Sequence, residues 1–331
     1  MDSYIKDIID REFKDQYVKK ALYLIIPNLI TYYGEKYLNT IFDAIKNITI
    51  YICPANYPFN HFISNKIGIN LDSHYSKVFN SNLNNRQGLI YEEHPRVIID
   101  EDTKEFRNVG SERKIIFIKE LNTTISKNNQ EELKCATIIR GLVSLIKSNN
   151  SNNIIRNDTK RTRFGLHQTI YKLTTKENKV ETLYLSETGF GLYNGILEYD
   201  TEEIFKQIFG YSLKENFYPL EKYIVEKLFA SNVLKSIFHE VEITGNIFLL
   251  RNCYDKIYYD GAFDKLIGLT DTINNSEYKK SQRNYDEAIK EINKYFISIT
   301  RKNSNLKHVA SVEEINKYFY TKRNPNLKYV A

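Results

Sequence analysis

Tryptophan is missing from the 331 residues, methionine occurs once, and there are three cysteines. Cys53, Cys135 and Cys253 stand far apart with no C-x-x-C pair among them, which implies neither a disulfide framework nor a zinc ribbon and suits a reducing compartment. No G-x-S-x-G elbow occurs and no cysteine has a histidine near it in sequence; Gly191 and Gly195 lack the order of a phosphate-cradling loop. Long apolar runs are missing too. The most apolar N-terminal stretch, residues 21–30, is interrupted by Pro27 and Asn28 and is too short to span a bilayer. The opening MDSYIKDIIDREFKD has early acidic residues and no apolar leader core, so the expected setting is cytoplasmic, with no membrane contact.

What is present suffices for a substantial core. Hydrophobic residues make up 42% of the chain, and 26 Tyr and 18 Phe supply all of its aromatic content. The length fits one large or two medium domains. A net charge of +6 permits an acidic partner without requiring one. Basic residues gather in RNDTKRTR at 156–163. Because that run follows SNNSNN, it reads as a solvated loop rather than a phosphate-binding strip, and nucleic acid is not an expected partner.

Periodicity predicts helices over 4–13, 17–25 and 32–45, with Pro27 as a break after the second. ITIYIC at 48–53 is β-branched and aromatic enough for a strand, and 89–91, 97–99 and 114–118 read likewise. Residues 56–88 are polar and Asn-rich, an irregular stretch or a short α/β insertion. GLHQTIYKLT at 165–174 and the run at 180–185, separated by TKEN, predict a hairpin. Helices follow at 201–209, 220–230, 233–242, 246–254 and 258–270, the first started by Asp200 with Thr201, Glu202 and Glu203 behind it. The expected class is α+β: a mixed N-terminal half with a small sheet, a central helix pair and a mainly helical C-terminal half. The expected regions are 1–110, 111–275 and 276–331.

The last region holds a tandem repeat. EINKYFISITRKNSNLKHVA at 291–310 recurs as EINKYFYTKRNPNLKYVA at 314–331, shortened by two residues. Each copy joins an amphipathic stretch to a basic polar tail. Two copies are too few for a solenoid, which leaves a tolerated duplication or a docking element for a partner.

The chain is organised around EELKCATIIRGLVSLIKS at 131–148 and ETGFGLYNGILEYDTEE at 187–203. In the first, Ile139, Leu142, Val143 and Ile146 form one apolar stripe. Thr137, Arg140, Ser144, Lys147 and Ser148 form a second, with Arg140 and Ser144 at the i, i+4 spacing by which two His of H-E-x-x-H grip zinc. The pair resembles bacterial zincin-like (gluzincin-type) metallopeptidases, whose apolar run and H-E-x-x-H precede a helix with N-E-G-x-x-E-Y. Gly195, Glu198 and Tyr199 match the second motif. Elsewhere the letters differ: Arg140 and Ser144 stand at the two His positions, Gly141 at the general base, Tyr193 at the Asn and Asn194 at the third ligand.

A guanidinium has no lone pair to offer a metal, and glycine has no group to take a proton from bound water. The resemblance therefore implies a pseudoenzyme, a non-catalytic metallopeptidase-like protein with no cofactor. It would hold a polypeptide partner near Arg140, Ser144 and Asn194, with Tyr193, Glu198 and Tyr199 as further candidate contacts, or through its tail. Two alternatives stand beside it: a hydrolase with a displaced metal site at His167, His239 and Glu240, although Ile243 occupies the place of a second His on that helix, and a basic nucleic-acid-binding protein.

Overall fold

The computed structural model describes residues 3–68, 88–93, 96–100, 102–109, 113–120, 127–148, 154–176, 179–213, 218–274 and 282–302. They group into two units, each assembled from separated stretches: Met1–Val97, Asn108–Asn149 and Asp200–Lys214 in the first, Ile98–Arg107, Asn150–Tyr199 and Glu215–Ala331 in the second. The chain is α+β, with small sheets and a largely helical C-terminal half.

The first unit opens with helices α1 (Ser3–Glu12), α2 (Gln16–Tyr33) and α3 (Leu38–Lys46). Asp15 starts α2 by accepting the backbone N–H groups of Tyr17 and Val18. Pro27, expected to break this helix, lies inside it. Proline in a helix interior costs about 3 kcal/mol. Here Leu22, Ile25, Ile26 and Leu29 are all fully buried on one face, and burial of each is worth about 1.5–3 kcal/mol, so the stripe outweighs the proline. The break comes instead at Gly34, whose φ of 95° a side chain would disfavour, and it divides the helix expected over 32–45.

Next come β1 (Ile48–Cys53), α4 (Phe59–Ile67), β2 (Gly88–Glu93), β3 (Arg96–Ile99), β4 (Phe106–Val109), β5 (Arg113–Lys119) and α5 (Lys127–Ser148). The β3–β4 pair, whose Ile98–Arg107 stretch belongs to the second unit, forms a two-stranded ribbon, while β1, β5 and β2 form a sheet in that order. β1 runs parallel to β5 with Ile50 beside Ile116, and β2 runs antiparallel with Ile90 beside the same residue. Alternation along β5 divides the packing. Phe117 joins Cys53, Phe59 and Ile63 on the α4 side, and Ile116 meets α5 at Gly141. Residues 69–87, most of the stretch expected to be irregular, lie outside the described set.

In the second unit, β6 (Ile154–Arg156), β7 (Thr159–Phe164), β8 (His167–Lys176) and β9 (Lys179–Thr188) form an antiparallel meander in chain order. The 156–163 run is thus not the loop that its composition suggested. Asn157 makes the turn at φ 53°, Lys160 and Thr162 are buried, and Arg163 donates to Gly245 O at 2.7 Å. Helices α6 (Phe190–Phe209), α7 (Pro219–Leu228), α8 (Asn232–Thr244), α9 (Ile247–Ile257), α10 (Ala262–Asn274) and α11 (Gln282–Lys302) follow. The start expected at Asp200 is corrected as well: α6 begins ten residues earlier and runs through it. From α11 the first copy of the repeat sends Ile292, Tyr295, Phe296 and Ile299 into the core of this unit. The second copy lies outside the described residues.

Among the described residues no helix is long and apolar enough to cross a membrane. All three cysteines are free thiols, with Cys53 and Cys135 buried and Cys253 half-buried. Burial pushes the Cys135 thiol up to about 12 and raises Cys53 too. A thiol reagent at neutral pH should accordingly label one cysteine, Cys253, in the native chain and all three in denaturant. Rapid native labelling of Cys135 would contradict its burial.

Candidate functional site

Over residues 141–147 every side chain of α5 is buried, so the helix has no solvated face there. Leu142, Val143, Leu145 and Ile146 account for the apolar part. In the second stripe Ser144 and Lys147 are almost inaccessible, and Thr137 and Arg140 are half-buried. A Cβ added to Gly141 would stand 2.0 Å from Ile116 Cδ1, so glycine at this position lets the helix lie close on the sheet.

Lys147 finds its counter-ion in Asp200, Nζ to Oδ2 3.0 Å, with both side chains fully buried. Two phenols also donate to the carboxylate: Tyr32 OH to Oδ1 at 2.7 Å and Tyr33 OH to Oδ2 at 3.0 Å, their rings edge to face at 5.0 Å. Desolvating an ion costs several kcal/mol, and only a pair with such added hydrogen bonds offsets that cost. Neither Lys147 nor Asp200 stood among the sequence candidates. Asp200 is 53 positions from Lys147 and 167 from Tyr33, so no local pattern announces the cluster.

Tyr193, Asn194, Glu198 and Tyr199 lie on the part of α6 that belongs to the second unit. Tyr193, Asn194 and Glu198 are buried. Tyr199 packs edge to face on Phe229 at 5.0 Å, with the Lys235 ammonium 5.1 Å from its ring. Gly195 is another close approach, since a Cβ there would come within 2.5 Å of Glu221 O. Arg140, Gly141 and Ser144 form a set on α5 in the first unit, and these four form a set on α6 in the second.

The start of α6 gathers polar groups from distant positions. Asp271 of α10 accepts the N–H groups of Gly189 and Gly191 at 2.7 and 3.0 Å, placing a carboxylate at the helix N-terminus. Burial raises its pKa, and those two hydrogen bonds oppose the shift. Beside it His167 Nε2 lies 2.6 Å from Glu187 Oε1 and 3.2 Å from Thr169 Oγ1, with its ring against Phe190 at 4.9 Å.

The other displaced-site candidates have structural surroundings. His239 packs edge to face on Phe229 at 5.5 Å, and the Glu240 carbonyl accepts Thr244 Oγ1. Among the described residues no group of three or more His, Cys, Asp or Glu is arranged to hold a metal ion, so His167, His239 and Glu240 do not form one. Glu242, on the same helix, is buried and accepts Leu166 N at 3.3 Å, which anchors the β7–β8 turn.

A different feature faces solvent. β9 pairs only with β8 among the described strands, which makes it an edge. All residues from 181 to 188 are exposed, including Leu183 at 58%, Tyr184 at 56% and Leu185 at 50%. The register shifts opposite Ile170 and Tyr171, leaving Leu185 as the extra residue of a bulge. Sequence periodicity located this strand and could not say that its outer edge has no neighbouring strand among the described residues.

Comparison with family models, characterised proteins and solved structures finds no match to the chain.

Proposed function

We infer that this chain is a non-catalytic polypeptide-binding protein. The observation that carries the reading is the edge strand β9, on which Leu183, Tyr184 and Leu185 are exposed in sequence. An edge of this kind presents unpaired N–H and C=O groups, and proteins ordinarily blunt it with lysine, proline or a cover. Its apolar side chains instead suit an extended peptide that adds as a further strand: main-chain hydrogen bonds supply affinity, and alternate side chains supply selectivity. The non-catalytic half of the reading is supported by the uses of the motif positions. Gly141 meets Ile116, Gly195 meets Glu221, and Ser144 and Asn194 are buried. Peptide contact is therefore assigned to β9 in preference to Arg140, Tyr193, Glu198 and Tyr199.

The test is fluorescence polarisation with labelled ten-residue peptides of alternating apolar and polar sequence. Some should bind, and Leu183→Lys/Leu185→Lys should weaken them at least about tenfold while leaving thermal unfolding unchanged, because both side chains are exposed. Equal binding by the lysine variant, or no binding by any alternating peptide, would remove the edge strand from consideration.

A further inference from the structure

The first copy of the tail repeat has a defined seat. Ile292, Tyr295, Phe296 and Ile299 line one face of α11 and are almost wholly buried. They join Tyr254 of α9 and Phe263, Leu266 and Ile273 of α10 in one core. Tyr295 OH lies 2.7 Å from Tyr254 OH and donates to Ala262 O at 3.2 Å. On the opposite face Glu291 and Lys294 pair in solvent. All six residues EINKYF of this helix recur at 314–319, where Ile315, Tyr318 and Phe319 repeat the i, i+3, i+4 anchors. The copies part at the fourth anchor: seven residues beyond Ile292 stands Ile299, and seven beyond Ile315 stands Lys322.

We propose that residues 314–322 are a second ligand for the groove that holds residues 291–299, and that the two copies exchange within one chain with the first strongly favoured. The groove cannot tell them apart at three anchors because the residues are identical. Discrimination falls to the fourth, where an apolar wall that receives Ile299 would receive an ammonium group, weakening the second copy by at least about tenfold. The exchange shifts the chain by about two dozen residues. Loop-closure entropy grows only as the logarithm of length, so the displaced first copy can loop out at modest cost. A partner could then take the first copy without leaving the apolar groove open to water, since the second would fill it.

Four full-length variants test this by thermal unfolding and hydrogen exchange read peptide by peptide. Tyr318→Ala/Phe319→Ala should unfold at the wild-type temperature. Tyr295→Ala/Phe296→Ala should fold and lose a few degrees, with exchange protection disappearing from 291–299 and appearing at 314–322. The fourfold variant should fall much further, a non-additive loss that marks two ligands for one seat. Lys322→Ile in the wild-type background should spread protection over both copies. The proposal is overturned if the first-copy variant fails to fold, or unfolds with the fourfold variant and gains no protection at 314–322. It is overturned equally if Lys322→Ile leaves protection confined to the first copy.

Discussion

Replacing Asp200 with alanine should lower the unfolding free energy by about 3–5 kcal/mol, the usual cost of leaving one member of a buried ion pair without the other. Lys147 would keep its charge where no water reaches it, and the Tyr32 and Tyr33 hydroxyls would lose the oxygens to which they donate. Lys147→Met should cost a comparable amount by the reverse route, leaving the carboxylate buried without its lysine counter-charge. The combined variant Lys147→Met/Asp200→Leu should be less damaging than either single change, because it removes both charges together. Adding Tyr32→Phe and Tyr33→Phe should recover more, since each hydroxyl then no longer loses its hydrogen bond to the Asp200 carboxylate, a loss worth about 1–3 kcal/mol at a buried site. Urea unfolding of the five chains measures the series. If Asp200→Ala lies within about 1 kcal/mol of wild type, in the range of an exposed pair, the carboxylate is not buried as described.

That cluster also marks where the sequence stopped being informative. Asp-Thr-Glu-Glu at 200–203 is a good local helix start, and the expectation failed because the true start is made elsewhere: Gly189 turns the chain at φ 76° and Asp271 supplies the capping carboxylate. Nothing near residue 190 in sequence indicates a cap that comes from residue 271. The 156–163 run failed for a similar reason, because pairing with β8 at Arg161–Ile170 and Thr162–Thr169 overrides its polar composition. Pro27 misled through a real local cost that a buried stripe outweighs.

Where local and tertiary preferences agreed, the elements were legible. ITIYIC at 48–53 is β1 to the residue, and the two runs around TKEN are β8 and β9. The stripe Ile292, Tyr295, Phe296 and Ile299 was readable as amphipathic, and it is the face that α11 buries. At the candidate site the residue types were legible and their surroundings were not. Arg140, Gly141 and Ser144 were read from their spacing as positions of a metal-binding motif, whereas the burial of α5 over residues 141–147 depends on segments far away in the chain.

Gly141→Ala puts two physical effects in direct opposition. In an isolated helix the change would stabilise by about 1 kcal/mol, because glycine loses more backbone entropy than alanine. In this protein the new methyl would stand 2.0 Å from Ile116 Cδ1 and 2.8 Å from Cγ1. The end of an isoleucine can usually swing aside, but Ile116 is fully buried within the sheet between β1 and β2. Overpacking of this kind costs about 1–3 kcal/mol. The expected net result is destabilisation, opposite in sign to helix propensity. Ile116→Ala alone should cost about 2–5 kcal/mol through the cavity it leaves. Combined with Gly141→Ala it should cost less than the sum by about 1 kcal/mol or more, since the methyl then enters vacated space and only Cβ, 3.9 Å away, faces it. A stabilising Gly141→Ala, or strict additivity with Ile116→Ala, would mean that α5 does not approach the sheet at this point. Position 141 would then be free for a larger side chain, and the packing explanation for its glycine would be lost.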